Sequence, residues 1–300
     1  MIDSIIGSTL LLAVPIVLAA LGGAMHRRAG VVNIGLEGQM LVGAFSGILA
    51  SAASGSWIVG VLVGGAAGAI AGLIMSLVIT RLSANEIIVG LGFNIVVLGI
   101  VGFVLRSVYG VSGTLRFPDQ PRIPRIDIPG VADVPVLGAI VSGKDILFWL
   151  AVVLVPVLAW VFTNTRWGIR TRATGANEFA TASLGVRTLA IRDLAGSIAG
   201  LLAGLGGVAL ALGVSGLFNE NMIAGRGFVA LAAFYFGRSR PLPTALACLL
   251  FSFFDALQVR LQTTSQFPTD LIQTLPYIAV VAVLAWTGFS ALRRRSRVAV

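Results

Sequence analysis

Residues 38–80 read GQMLVGAFSGILASAASGSWIVGVLVGGAAGAIAGLIMSLVIT and carry no charged side chain over 43 positions. A helix that crosses a bilayer needs about 20 apolar residues. The stretch therefore predicts two crossings, with Ser54-Gly55-Ser56 as the turn between them. Working outward, other charge-free runs lie at 4–25, 87–105, 146–165, 194–219 and 271–292, and shorter ones at 227–237 and 241–254. The sum is about nine crossings, within a range of eight to ten. The first run lacks a basic start and a clean cleavage site, so it reads as a retained helix rather than a signal peptide.

Composition points the same way. Hydrophobic residues make up 57% and charged residues 11%, against about 25% charged in soluble domains. A soluble globule, a disordered chain and a nucleic-acid arm are excluded, and lipid is the expected partner for the surface. The net charge of +9 fits the positive-inside rule. With the arginine-rich tail (Arg293, Arg294, Arg295, Arg297) inside, nine crossings place the N-terminus outside and the C-terminus inside. The inner segments then hold 14 cations and the outer segments 7. Segment 106–145, with five prolines, is an extracytoplasmic loop, expected to lie as an extended cap with or without a short helix. Segment 163–193 is the longest inner connection. The predicted fold is an all-α polytopic membrane protein, a single membrane domain over 1–300. Lone Cys248 and lone His26 leave no disulfide and no multi-histidine metal site. No catalytic residue suggests itself.

Two patterns refine this picture. Gly60, Gly64, Gly68 and Gly72 recur every four residues, as do Gly196, Gly200 and Gly204. Each ladder lets a neighbouring backbone come close, either within the chain or at a dimer seam. Residues 18–23, LAALGG, echo 202–207, LAGLGG, and 38–45, GQMLVGAF, loosely echo 227–234, GFVALAAF. The first copy runs outside to inside and the second copy the reverse. That is an inverted repeat, and each copy leads into a short or broken helix, the plan of a transporter with a midplane pathway.

Polar residues gather at those breaks. Asn33 and Glu37 lie at the first, and Asn219, Glu220 and Asn221 at the second. An ionisable group deep in a membrane bundle is functional by default; the alternative is that Glu37 and Glu220 sit at the water interface and cap helices. Asn94, inside run 87–105, either bonds a neighbouring helix or faces the pathway. Asn85 reads as the cap of that run. Phe93 and Phe218 offer rings that stack on a ring-shaped solute or simply pack. Residues 138–145, GAIVSGKD, imitate a nucleotide-binding loop, but Asp145 stands where that loop needs Ser or Thr for magnesium.

In the inner segment, residues 175–186 read GANEFATASLGV. Asn177 can cap a short helix and Gly185 can end it, leaving Phe179, Ala180, Ser183 and Leu184 between them. Such a helix suits a groove on a partner or lies along the headgroups. The segment resembles the coupling loop of ABC-transporter permeases of the branched-chain amino acid, simple-sugar and nucleoside branch, whose pattern is Gly-x-Asn-Pro-x-Ala-Ala-x-x-x-Gly-[Ile/Val]. Gly175, Asn177, Ala180, Gly185 and Val186 match; Glu178 and Thr181 depart from it. Residues 28–39, RAGVVNIGLEGQ, and 221–232, NMIAGRGFVALA, are similar to that branch's two other signatures, the second in its nucleoside and simple-sugar form.

The resemblance implies a permease subunit of an ATP-driven importer in a prokaryotic inner membrane, working by alternating access on nucleosides or related sugars. It implies a cytoplasmic ABC ATPase that carries ATP and Mg²⁺, so that this chain binds no cofactor and is no enzyme itself. It also implies a second permease subunit, identical or paralogous, and an extracytoplasmic solute-binding lipoprotein; nucleic acid is no partner. Ribose-type sugars, branched-chain amino acids and an ion-coupled secondary mechanism remain as alternatives.

Overall fold

The computed structural model describes residues 2–127 and 137–264 and the isolated positions 274, 278 and 285. The order is α1 (Ile2–Arg28), α2 (Leu36–Ser54), α3 (Trp57–Arg81), α4 (Glu86–Ser107), β1 (Thr114–Leu115), β2 (Arg125–Ile126), α5 (Leu137–Val141), β3 (Lys144–Asp145), α6 (Ile146–Asn164), α7 (Arg166–Ala176), α8 (Glu178–Ser183) and α9 (Thr188–Val208). α9 runs into a π-helical stretch (Ala209–Ser215), followed by β4 (Phe218–Asn219), α10 (Arg226–Phe236) and α11 (Pro241–Thr264).

Among the described residues seven helices are long and apolar enough to cross a bilayer: α1 to α4, α6, α9 with its π extension, and α11. α10 has 11 residues, about 16 Å at 1.5 Å per residue, or half of a ~30 Å hydrocarbon layer. It makes an eighth passage only together with the irregular residues 216–225 that precede it. Run 271–292 and the arginine-rich tail fall outside the described residues.

Helix ends follow local chemistry. α2 stops at Gly55, which takes φ +66° as a left-handed cap. The Asn85 carboxamide accepts from the Ile87 and Ile88 N–H groups and starts α4. Two helices outrun the charge-free segments. α9 begins before residue 194 because Asp193 is satisfied in place by Arg81, 2.8 Å away, and by the Thr80 hydroxyl at 2.7 Å. α11 continues past residue 254 because Asp255 faces Arg226, 3.9 Å away.

α1 and α9 form the centre. In α9, 72% of the apolar window is buried, against 22% in α4. α3 packs along α9, and α2 packs on both. The glycine ladders make that possible. A methyl group added to Gly204 would stand 2.7 Å from the Gly64 carbonyl oxygen, and one on Gly64 would stand 2.6 Å from that of Gly43. The ladders therefore serve helix packing within the chain, where close van der Waals contact replaces a missing hydrophobic force.

The bundle has two distinct ends. At the arginine end Arg27, Arg81, Arg192 and Arg238 gather with α7 and α8. At the loop end, segment 106–127 and α5–β3 close over the helices. There β1 pairs antiparallel with β4 (Leu115 opposite Phe218) and β2 with β3 (Ile126 opposite Lys144).

Candidate functional site

Two breaks in the helices meet inside the bundle. Residues 29–35 lead irregularly from the end of α1 to the start of α2, and 216–225 lead from the π stretch to α10. The Glu37 carboxylate, in the first turn of α2, accepts from the Gly225 N–H through Oε1 and the Gly227 N–H through Oε2, each at 2.7 Å. α10 has no side-chain cap of its own, so a neighbouring helix supplies one. Asn94 does the same for α2: Oδ1 accepts from the Gly38 N–H at 2.8 Å, while Nδ2 donates to the Ile34 carbonyl at 3.0 Å. Free helix N-termini among apolar helices need such partners, since lipid offers none. Both helix N-termini carry positive dipole ends, and a single carboxylate lies between them.

From this junction the helices diverge. α2 runs to the loop end, where the Ser51 hydroxyl donates to the Pro121 carbonyl at 3.4 Å. α10 runs to the arginine end, where Arg27 donates to the Tyr235 hydroxyl at 2.7 Å. Asn94 is the ninth residue of α4, about 12 Å along a helix of about 33 Å. The junction thus sits deep in the span.

A cavity of about 480 Å³ opens beside the junction. Its polar lining is Glu37, Asn94, Glu220 and Asn221, and its apolar lining includes Leu41, Leu91, Ile95, Leu98 and Phe228. Glu220 is held by its own N–H on the Gly113 carbonyl (2.7 Å) and lies 3.8 Å from Arg106. Such a mixed wall, greasy with a few fixed donors and acceptors, suits a small solute with a flat ring and hydroxyl groups.

The structure brings together four of the eight expected pathway residues. The other four lie off the lining. Asn33 is fully buried and donates to Gln39 at 3.0 Å. Phe218 is fully buried against Phe45, ring centroids 5.1 Å apart. Phe93 is half-buried beside Gly38. Asn219 is exposed on β4 and donates to the Thr114 hydroxyl at 3.2 Å. Sequence reasoning missed the apolar half of the wall. Leu91 and Leu98 stand three and four residues either side of Asn94, so the helical period carried a signal for them.

At the arginine end, α7 starts with the Thr165 hydroxyl accepting from the Gly168 N–H (3.0 Å), and α8 starts with Asn177 accepting from the Ala180 N–H (3.0 Å). Gly185 takes φ +77° just after α8. Glu178 forms a 2.7 Å ion pair with Arg192 and so ties α8 to α9. Gly175 lies so close to the end of α1 that an added methyl would be 2.9 Å from the Gly30 nitrogen. Phe179 and Leu184 are each 84% exposed, and Ala180 and Ser183 are exposed beside them.

The segment that imitates a nucleotide loop has other duties. Lys144 donates to the Gly7 carbonyl at 3.3 Å, and Asp145 caps α6 by accepting from the Phe148 N–H at 2.8 Å. Burial, helped by Arg125, holds the Lys144 ammonium below its ordinary pKa; burial pushes the Asp145 carboxyl up. Among the described residues no group of three or more His, Cys, Asp or Glu side chains is placed to hold a metal ion.

Comparison with known proteins gives a consistent set. The profile of the family described as branched-chain amino acid transport system / permease component matches residues 5–284. The chain is 33% identical to the guanosine ABC transporter permease protein NupQ of Bacillus subtilis, over 95% of this chain and 91% of that one. It is 31% identical to the nucleoside ABC transporter permease protein NupC of Lactococcus lactis, over 94% and 91%. A putative glucose ABC transporter permease of Haloferax volcanii is 28% identical over the same shares.

Proposed function

The chain belongs to the branched-chain amino acid transport system permease family, and from that premise we propose that it is the membrane-spanning subunit of an ABC importer whose cargo is nucleosides. It is a multi-pass integral protein of a prokaryotic membrane. The observation that carries the reading is the cavity beside the paired helix N-termini, with Glu37, Asn94, Glu220 and Asn221 in its wall. The similarity to guanosine and nucleoside permeases over nearly the whole chain favours nucleosides over hexoses. A nucleoside offers hydroxyls and ring nitrogens to the carboxylates and amides, and a base plane to Phe228 and the leucines.

In this reading the arginine end faces the cytoplasm and the loop end faces outward. The exposed helix α8 presents Phe179 and Leu184 to an ATPase, which supplies nucleotide and Mg²⁺. The second permease subunit covers exposed α4, and a solute-binding lipoprotein delivers cargo to the loop end. Movement of α7 and α8 reaches the cavity through two links: Glu178 to Arg192 on α9, and Gly175 to the end of α1, from which residues 29–35 run to Glu37. Parting Glu37 from Gly225 and Gly227 separates α2 from the short helix α10 and changes which side the cavity faces. Pumping requires that the nucleotide-bound ATPase favour one of these arrangements over the other.

The test is uptake of labelled guanosine, uridine, ribose, glucose and leucine by cells carrying the complete transporter. The expected result is ATP-dependent uptake of the nucleosides alone. Uptake of leucine or glucose in their place contradicts the cargo, and uptake that a proton uncoupler abolishes while ATP stays high contradicts the energy source.

A further inference from the structure

A second cavity, of about 470 Å³, lies at the arginine end, away from the junction. Three elements build it: Arg27 and Arg28 at the end of α1, Arg172 on α7, and Arg238 and Ser239 in the turn between α10 and α11. Its lining contains no carboxylate. Among the described residues none of the four arginines makes an ion pair. Two nearby carboxylates are engaged elsewhere, Glu86 with the Val32 N–H and Glu178 with Arg192. The ends of α1, α7 and α10 converge here, each equivalent to roughly half a negative charge. Four guanidiniums outweigh them by more than two charges.

The arginines are also positioned. Arg27 stacks over the Tyr235 ring at 4.0 Å and spends one hydrogen bond on its hydroxyl. Arg28 lies over the Phe162 ring at 4.7 Å and spends one on the Ser239 carbonyl. A guanidinium has five N–H donors, so each keeps a fork free. Ser239 adds an independent sign. The residue borders the cavity and is 4% exposed, and its hydroxyl oxygen is buried without a hydrogen-bond partner. A buried hydroxyl left unpaired in a native structure is costly and calls for a partner.

We propose that this cavity is a binding site for a phosphoryl group. Paired guanidinium forks match phosphate oxygens two at a time, and the Ser239 hydroxyl donates to a further oxygen. Two sources fit the chemistry: the phosphodiester of an anionic lipid in the leaflet at the arginine end, and a phosphate free in solution. That leaflet is the cytoplasmic one on the reading above, where anionic lipids are enriched and basic pockets between helices hold their head groups. A bound phosphoryl group joins α7 to α1 and to the end of α10, and so braces the coupling segment against the half-helix that borders the main cavity.

The test uses the full chain in a non-ionic detergent and reads binding by native mass spectrometry and by thermal shift. It requires no transport, so its failure is separable from failure of the cargo reading. The probes are phosphatidylglycerol, phosphatidylcholine and inorganic phosphate. R172Q/R238Q is the test variant, and R166Q is a control for lost charge at the same end. Loss of phosphatidylglycerol binding by tenfold or more in R172Q/R238Q, with R166Q like the parent, supports the site with lipid as its source. The same loss for inorganic phosphate alone supports the site with a soluble source. Equal binding of both probes by parent and double variant, or binding lost equally in R166Q, overturns it. If the double variant does not fold, R172Q alone, an exposed position on α7, is expected to weaken binding at least threefold; unchanged binding there overturns the site.

Discussion

Glu37 shows how one side chain holds a membrane junction together. It reaches from the first turn of α2 to two backbone N–H groups of α10, 188 and 190 residues away in sequence. Glu37→Ala leaves those donors without a partner and removes two charge-assisted bonds, a cost of about 2–4 kcal/mol. The expected outcome is a clearly lower melting temperature in detergent, with Glu37→Gln intermediate; an unchanged melt in Glu37→Ala contradicts the capping role. Asp145 offers a pH test at the loop end. Its folded carboxyl titrates above the ordinary 3.8 because of burial. The folded chain then binds the proton more tightly than the unfolded chain, so stability falls as pH rises from 3.8 through the folded value. Asp145→Asn keeps the cap and loses the titration, so its melting temperature is expected to be flatter over that range. An equal decline in both proteins contradicts the assignment. Local duties of this kind were legible in the sequence: Asn85 and Asn177 as caps, Gly185 as a stop. Glu37 was legible only as a choice between cap and pathway, because the helix it caps is a different one. Asn33 and Phe218 looked equally suited to the pathway, and only packing shows that they are buried outside the lining of the cavity.

At the scale of elements, the run lengths of apolar residues predicted α1, α4 and α6 well, since their bounds coincide with charges or caps. Counting charges failed where a charge is paired across helices, as Asp193 is with Arg81 and Asp255 with Arg226. The π-helical stretch 209–215 left no sequence signal that helical periodicity could detect. The α3–α9 seam gives a sharp prediction. Gly68→Ala puts a methyl 2.8 Å from the Gly204 α-carbon, and the helices must separate. Gly99→Ala meets nothing within 4 Å and gains helix propensity of about 1 kcal/mol. Thermal melts are expected to fall for the first and hold or rise for the second; equal behaviour contradicts the seam. For α8, Leu184→Asp is expected to release the ATPase during co-purification without changing the melting temperature of the permease. Intact co-purification contradicts that contact.

For the whole molecule, the account rests on α2 and the short helix α10, whose N-termini meet beside a polar cavity, with a lever at the arginine end connected to them through α1 and α9. In the sequence the place was marked by glycine-rich segments with Asn and Glu, at 31–39 and 218–227. What the sequence withheld was the junction itself, which depends on contacts across nearly 190 residues. Asn94 is the most direct probe, since its carboxamide both faces the cavity and bridges the Ile34 carbonyl and the Gly38 N–H. The decisive measurement is the initial rate of guanosine uptake by proteoliposomes holding the assembled transporter, ATPase and binding protein, with the parent chain and with Asn94→Leu. The account predicts at least a tenfold loss of uptake in the variant while the subunits stay together. Uptake kinetics identical to the parent's contradict the claim that solute passes this junction.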